Sequence, residues 1–130
     1  MNEKIEYWLD LAEYDMETAK AMLQTGRYLY VGFMCHQVIE KALKAVIARD
    51  CAEDEIPPKI HDLPRLAKIA GLLGKVSEEQ HDFIDKLTPL NIESRYPEYK
   101  NKIFSTLSEK VCDNVLAETE RLLCWIKQQL

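Results

Sequence analysis

Residues 28–50 read YLYVGFMCHQVIEKALKAVIARD. Val31, Cys35, Val38, Ala42 and Ala45 recur at three- and four-residue steps, and Ile39, Leu43, Val46 and Ile47 widen that stripe. The spacing gathers the apolar side chains on one side of a 3.6-residue repeat, so it predicts a helix suited to the centre of a bundle rather than its edge. Gly32, Ala42 and Ala45 are small enough to let a neighbouring helix approach closely. Glu40 and Lys44 read as an i,i+4 helix pair in the favourable order, worth about a few tenths of a kcal/mol.

The flanks repeat the helical pattern. Upstream, Ile5, Trp8, Ala12, Met16, Ala19 and Leu23 form one stripe, widened by Tyr7, Leu11 and Tyr14. They predict a helix from Glu3 to Thr25, capped by Asn2 and ended by Gly26, with the short turn making the two helices antiparallel neighbours. Downstream, residues 51–60 read as a linker, acidic at Glu53-Asp54-Glu55 and stiffened by Pro57-Pro58. A third helix is expected from Asp62 to about Leu73, with Pro64 in its first turn and Gly74 as its end. Ser77-Glu78-Glu79-Gln80 is a capping box opening a fourth helix that ends near Pro89. Residues 91–101 read as an irregular or kinked connection, and Thr106-Leu107-Ser108-Glu109 as a second capping box opening a last helix to the C-terminus. The expectation is an all-α, up-and-down antiparallel bundle of about five helices forming a single domain over residues 1–130.

The chain has 130 residues, of which 22 are acidic and 17 basic, for a net charge of −5. An acidic chain offers no broad basic face for phosphates, which argues against a grip on duplex DNA. The longest uncharged stretch, Tyr28 to Ile39, is 12 residues, too short to span a bilayer. Met1-Asn2-Glu3-Lys4 leads straight into a charged amphipathic pattern, which predicts no signal or transit peptide and a cytoplasmic location. The four cysteines have neither zinc-knuckle spacing nor the context of a disulfide framework. Cys35, Cys112 and Cys124 lie on or beside apolar stripes and are expected to be buried, leaving Cys51 as the exposed thiol.

Enzyme motifs are scarce. The sequence has no phosphate-cradling glycine loop, no nucleophile elbow, no paired Glu-x-x-His and no His-Glu-x-x-His. No catalytic residue, metal site or cofactor is therefore assigned. Of the three histidines, His81 reads as a solvated helical residue and His36 as a partly buried, hydrogen-bonded one. His61-Asp62 can cap and brace the third helix, or contribute to a ligand site. Arg95 to Lys102 is a cluster where cations outnumber anions, three to one. Arg95 and Lys100 can bind phosphate and Tyr96 or Tyr99 can stack on a base; equally, Arg95 can pair with Glu93 or Glu98 and pin a kink.

Three segments together resemble the prokaryotic HEPN domain family. They are Cys35-His36-Gln37-Val38-Ile39-Glu40-Lys41-Ala42-Leu43-Lys44-Ala45, Pro57-Pro58-Lys59-Ile60-His61-Asp62-Leu63 and Glu93-Ser94-Arg95-Tyr96-Pro97. The resemblance implies a helical bundle, commonly a homodimer, often encoded beside a minimal nucleotidyltransferase and in many cases part of a toxin–antitoxin pair. Some branches of that family are metal-independent ribonucleases, marked by an arginine followed four to six residues later by histidine; others are nucleotide-binding helper domains. Carried onto this chain, the arginine is Arg95, but the histidine positions hold Lys100, Asn101 and Lys102. The expectation is a binding module that contacts nucleotide or RNA through Arg95, Tyr96, Tyr99, Lys100, His61 and Asp62 without cleaving it. An endonuclease with an atypical base and a ligand-free dimeric scaffold are the alternatives.

Overall fold

The computed structural model describes residues 2–91 and 97–130. Among the described residues there are six α-helices and no strand. They are α1 (Glu3–Gln24), α2 (Tyr28–Arg49), α3 (Leu63–Ile69), α4 (Glu78–Leu87), α5 (Pro97–Thr106) and α6 (Glu109–Gln128), with a 3-10 turn at Thr88–Leu90. Asn2 starts α1 by accepting the Ile5 N–H at 2.9 Å. At its far end Gly26 takes φ 73°, a left-handed geometry that costs glycine little, and Arg27 N–H donates back to the Met22 carbonyl at 2.8 Å. The chain thus reverses within two residues. Partners then meet across the turn in antiparallel register: Asp15 with Lys41, Trp8 with Lys44, and Lys4 with the Glu55 carbonyl.

Helix α2 is the hub, packed against α1, α3, α4, α5, α6 and the 3-10 turn. Fourteen of its 22 residues are buried. Its broad apolar face is therefore covered within one chain, and no second copy is needed to explain it. Helix α6 runs antiparallel to α1, pairing Glu120 with Lys20 and Lys127 with Glu13. It runs the same way as α2, with Cys112 near the Tyr28 carbonyl and the Gln129 carbonyl accepting from Arg49. Strict up-and-down alternation requires both relations.

Three local expectations are corrected. Helix α3 ends at Ile69, not Leu73, because Gly71 rather than Gly74 adopts positive φ, at 75°. The Leu72 N–H then bonds the Ala67 carbonyl at 2.9 Å while the Leu72 side chain is buried. The stretch read as an irregular connection contains the start of α5, where Pro97 is the first helical residue; there its missing N–H has no partner to lose. Finally, α6 is capped by Ser108, which accepts from the Val111 N–H at 3.2 Å. Thr106 instead closes α5, its hydroxyl donating to the Ile103 carbonyl at 2.8 Å.

The cysteines also depart from expectation. Cys35 and Cys112 are buried, but Cys124 is exposed and Cys51 is intermediate. Cys124 sits on α6 one residue beyond buried Leu123, turned about 100° away from it around the helix. Burial pushes the Cys35 thiol up to about 12 and the Cys112 thiol up to about 11. A thiol at 12 is ionised in roughly one molecule in ten thousand at pH 8, and the thiolate is the reactive form. Labelling the native protein with a thiol reagent at pH 8 is expected to modify Cys124 and Cys51 quickly, with Cys35 and Cys112 reacting only after unfolding. Four equally fast thiols would contradict this packing. No helix among the described residues is long and apolar enough to cross a membrane.

Candidate functional site

Along α2, His36, Glu40 and Lys44 follow one another at four-residue steps and are all buried. On a helix this spacing aligns side chains on one face. The Lys44 ammonium donates to Glu40 Oε2 at 3.1 Å and lies 5.6 Å from the centre of the Trp8 ring on α1. His36 Nδ1 stands 3.8 Å from Glu40 Oε1. A carboxylate taken out of water is costly unless paired and hydrogen-bonded, and here the pairing partners are built into the same helix.

The fourth member arrives from the loop before α3. His61 Nδ1 lies 3.0 Å from Glu40 Oε1 and 3.1 Å from Oε2, facing both carboxylate oxygens. The loop holds it there from both sides. Upstream, Lys4 donates to the Glu55 carbonyl at 3.0 Å, Pro57 is buried, and Pro58 restricts the backbone. Downstream, Asp62 Oδ1 accepts from the Arg65 N–H at 3.1 Å to cap α3, whose Leu63 and Leu66 are fully buried. Glu40 is 5% exposed at its side chain, whereas His61 is 60% exposed. A buried anion thus orients an imidazole that itself remains open to solvent.

This geometry dictates the tautomer. With Nδ1–H donating to the carboxylate, the neutral imidazole carries its lone pair on Nε2. Nε2 can then accept a hydrogen bond or a proton, and the carboxylate keeps the ring from turning.

Of the residues expected at a site, the structure brings His61 to Glu40. Asp62 serves as the α3 cap. Lys100 is half-buried on α5. Arg95 and Tyr96 lie outside the described residues, as does the side chain of Tyr99. Glu40 and Lys44, read from sequence as an ordinary helix pair, are buried site residues; Trp8 was read only as part of a stripe. The signal that could have found them is the run His36, Glu40, Lys44. Three polar residues at i, i+4 and i+8 beside an apolar stripe are tolerable in a core only if they serve one another. His36, expected to be partly buried, is fully buried. His81 is exposed, as expected, with Nδ1 3.4 Å from Asp85. On that same solvated face His81, Asp82 and Asp85 hold ligand atoms within 4.8 Å of one another, an arrangement common on exposed helices without an ion. A groove of about 490 Å³ between α4 and α6 mixes Glu79, Asp82 and Glu118 with Lys86 and Arg121, which gives it no preference for a ligand of either charge.

The model of the HEPN domain family matches residues 5–129. The chain belongs to the HEPN family. No curated protein matches its sequence significantly. Among solved structures, the HEPN fold here is similar to TT1696 from Thermus thermophilus, with a TM-score of 0.80 at 20% identity, covering 99% of this chain and 100% of that one. It is also similar to ST0689, an archaeal HEPN homologue, with a TM-score of 0.67 at 22% identity and 98% coverage of both chains. At these identities the likeness is one of fold. Within this HEPN chain, two of the three segments that carry the family resemblance, residues 35–45 and 57–63, meet through the Glu40–His61 contact.

Proposed function

We propose that this HEPN domain is a binding module. It acts as a cytoplasmic homodimer that contacts a nucleotide or RNA, works beside a nucleotidyltransferase as one half of a toxin–antitoxin pair, and does not itself cleave RNA. The observation that carries the binding reading is the exposed imidazole of His61 on the buried Glu40 carboxylate. Structural anchoring alone does not require the anchored side chain to stay open to water. Lys59 and Arg65, two residues before and four after His61 along the chain, are exposed and offer cations for phosphate.

The reading against cleavage comes from chemistry. Attack by a 2′-hydroxyl needs a base, and the positions four to six residues past Arg95, where the ribonuclease branch carries its histidine, hold Lys100, Asn101 and Lys102; His61 is the imidazole left for that role, so cleavage that disappears in His61→Asn would also replace this reading with the endonuclease. Lysine has an ordinary pKa near 10.4 and asparagine does not titrate in this range. A second copy of the chain is supported by large apolar side chains left in water: Tyr7 and Tyr14 two turns apart on α1, Tyr30 on α2 and Phe104 on α5.

The test is a joint one. Light scattering is expected to give twice the 15.1 kDa chain mass at micromolar concentration. Single-stranded RNA is expected to bind in a salt-sensitive manner, to remain intact in EDTA, and to bind about tenfold more weakly to Arg95→Ala, the effect of losing one charge-assisted phosphate contact. A nucleotidyltransferase encoded beside the chain is expected to co-purify with it. RNA cleavage by the wild type that disappears in Arg95→Ala would replace this reading with the endonuclease. Absence of both binding and cleavage would replace it with the scaffold.

A further inference from the structure

One side of α1 is left without a partner by the fold. Glu3, Glu6, Tyr7, Asp10, Tyr14 and Glu17 are all exposed, and helical geometry places them within an arc of about 100°. That arc lies opposite the buried line of Ile5, Ala12, Met16 and Ala19. Tyr7 is 59% exposed and Tyr14 72%, two turns apart on the same outer line. The carboxylates around them have little to balance their charge. Lys4 is engaged by the Glu55 carbonyl at 3.0 Å, and Lys20 bridges Glu17 and Glu120. Among the described residues no cation pairs with Glu3, Glu6 or Asp10. The Lys4 contact also brings the loop after α2 to the first turn of α1, so that exposed Glu53-Asp54-Glu55 and the 65% exposed Ile56 extend the same acidic pole.

We propose that the outer face of α1 is a docking surface for an arginine-rich helical segment of another protein, which stacks guanidinium groups on Tyr7 and Tyr14 and pairs with Glu3, Glu6 and Asp10. The proposal is independent of the nucleotide-binding reading. Charge complementarity selects the occupant: cations interleaved along one helix face can meet carboxylates and aromatic rings in turn, and arginine combines a planar face for the ring with donors for the acid.

Other occupants fit the face less well. Nucleic acid and anionic lipid are repelled by it. A second copy meeting it across a two-fold axis would present the same patch and set carboxylates against carboxylates, which leaves the homodimer with Tyr30 on α2 and Phe104 on α5. A purely solvated face accounts for Glu3 and Glu6, whose charges suit a helix N-terminus. It does not account for two aligned tyrosines in water, since aromatic rings are enriched where proteins meet.

The probes are two alanine-based helical peptides, one carrying arginine at alternating three- and four-residue steps and the other glutamine at the same positions. Binding to the intact chain is followed by fluorescence anisotropy at about 0.15 M salt, where charges more than about 8 Å apart are largely screened. The arginine peptide is expected to bind and the glutamine peptide is not. Tyr7→Ala with Tyr14→Ala is expected to weaken binding about five- to thirtyfold, the range of two exposed cation–π contacts, with the melting temperature unchanged. Glu6→Lys with Asp10→Lys is expected to abolish it. Asp82→Lys with Asp85→Lys makes the same charge change on the exposed face of α4 and is expected to stay within about twofold of wild type. The proposal is overturned if the arginine peptide does not bind, if the glutamine peptide binds equally well, or if the tyrosine variant binds like wild type. An α4 variant weakened as much as the α1 charge variant would also overturn it, by showing attraction to net charge alone. A wild-type dimer that becomes a monomer in the tyrosine variant would give the face to the second copy instead.

Discussion

Glu40→Ala lowers the stability of the chain by about 3–5 kcal/mol, the usual consequence of removing one partner of a buried ion pair. The reason lies less in the lost attraction than in what remains. Lys44 keeps a charge at a side chain that is 8% exposed, with the Trp8 ring left to offset the lost carboxylate. For a domain of this size the loss corresponds to a fall in melting temperature on the order of 10–20 °C. Replacing both partners, Glu40→Leu with Lys44→Leu, removes both desolvation penalties. It is expected to bring stability back to within about 2 kcal/mol of the wild type. His61 nevertheless has no carboxylate to hold it in the double variant, so a stable protein whose His61 ring is no longer fixed is the expected combination. Urea denaturation of Glu40→Leu, Lys44→Leu and the double variant measures the coupling. A Glu40→Ala protein within about 1 kcal/mol of wild type would falsify the idea that the pair is buried in solution.

The second large effect lies in α3, the seven-residue helix that holds the downstream end of the His61 loop. Leu66 is fully buried in the core, whereas Ile69, three residues on, is 48% exposed. Leu66→Ala is expected to cost about 2–5 kcal/mol, through lost apolar burial and the cavity left behind. Ile69→Ala is expected to fall within about 0.5 kcal/mol of wild type. The comparison controls for helix propensity, since both changes introduce alanine into the same short helix. A hydrogen-exchange measurement on Leu66→Ala should also show faster exchange in α3 than in α1, because α3 packs mainly against α2 and α4 whereas α1 lies along the length of α2. Equal losses for the two substitutions would mean that α3 does not dock as described.

Helical periodicity was legible wherever a stripe ran for several turns. Ile5 to Leu23 and Val31 to Ile47 each repeat long enough for the 3.6-residue period to be unambiguous, and Asn2, Gly26 and the Ser77–Gln80 box mark ends by local hydrogen bonds. Ends marked by competing signals were less legible. Gly71 and Gly74 are both able to close α3, and the choice fell to the one that lets Leu72 bury its side chain. Pro97 looks like a breaker in sequence and is a helix start in space; which one applies depends on whether the following residues find a surface to pack on, as Ile103 does. Cys124 shows the same dependence: its neighbours Leu123 and Ile126 are buried, but its own direction around α6 is decided by where α1 and α2 lie.

By itself, the sequence determined the all-helical class, the central place of residues 28–50, most caps, the family, and the identity of His61 as a residue to watch. These are properties of near neighbours along the chain, where three- and four-residue spacing fixes geometry. Only the tertiary structure decided that Glu40 and Lys44 are buried rather than solvated, and that His61, 21 residues from Glu40, completes their cluster. That contact depends on how the Pro57-Pro58 loop folds back over α2. An acid and a base four residues apart look the same in sequence on a wet helix face and in a core. The difference in free energy comes from the surrounding helices, which exclude water and turn a weak surface pair into a buried one.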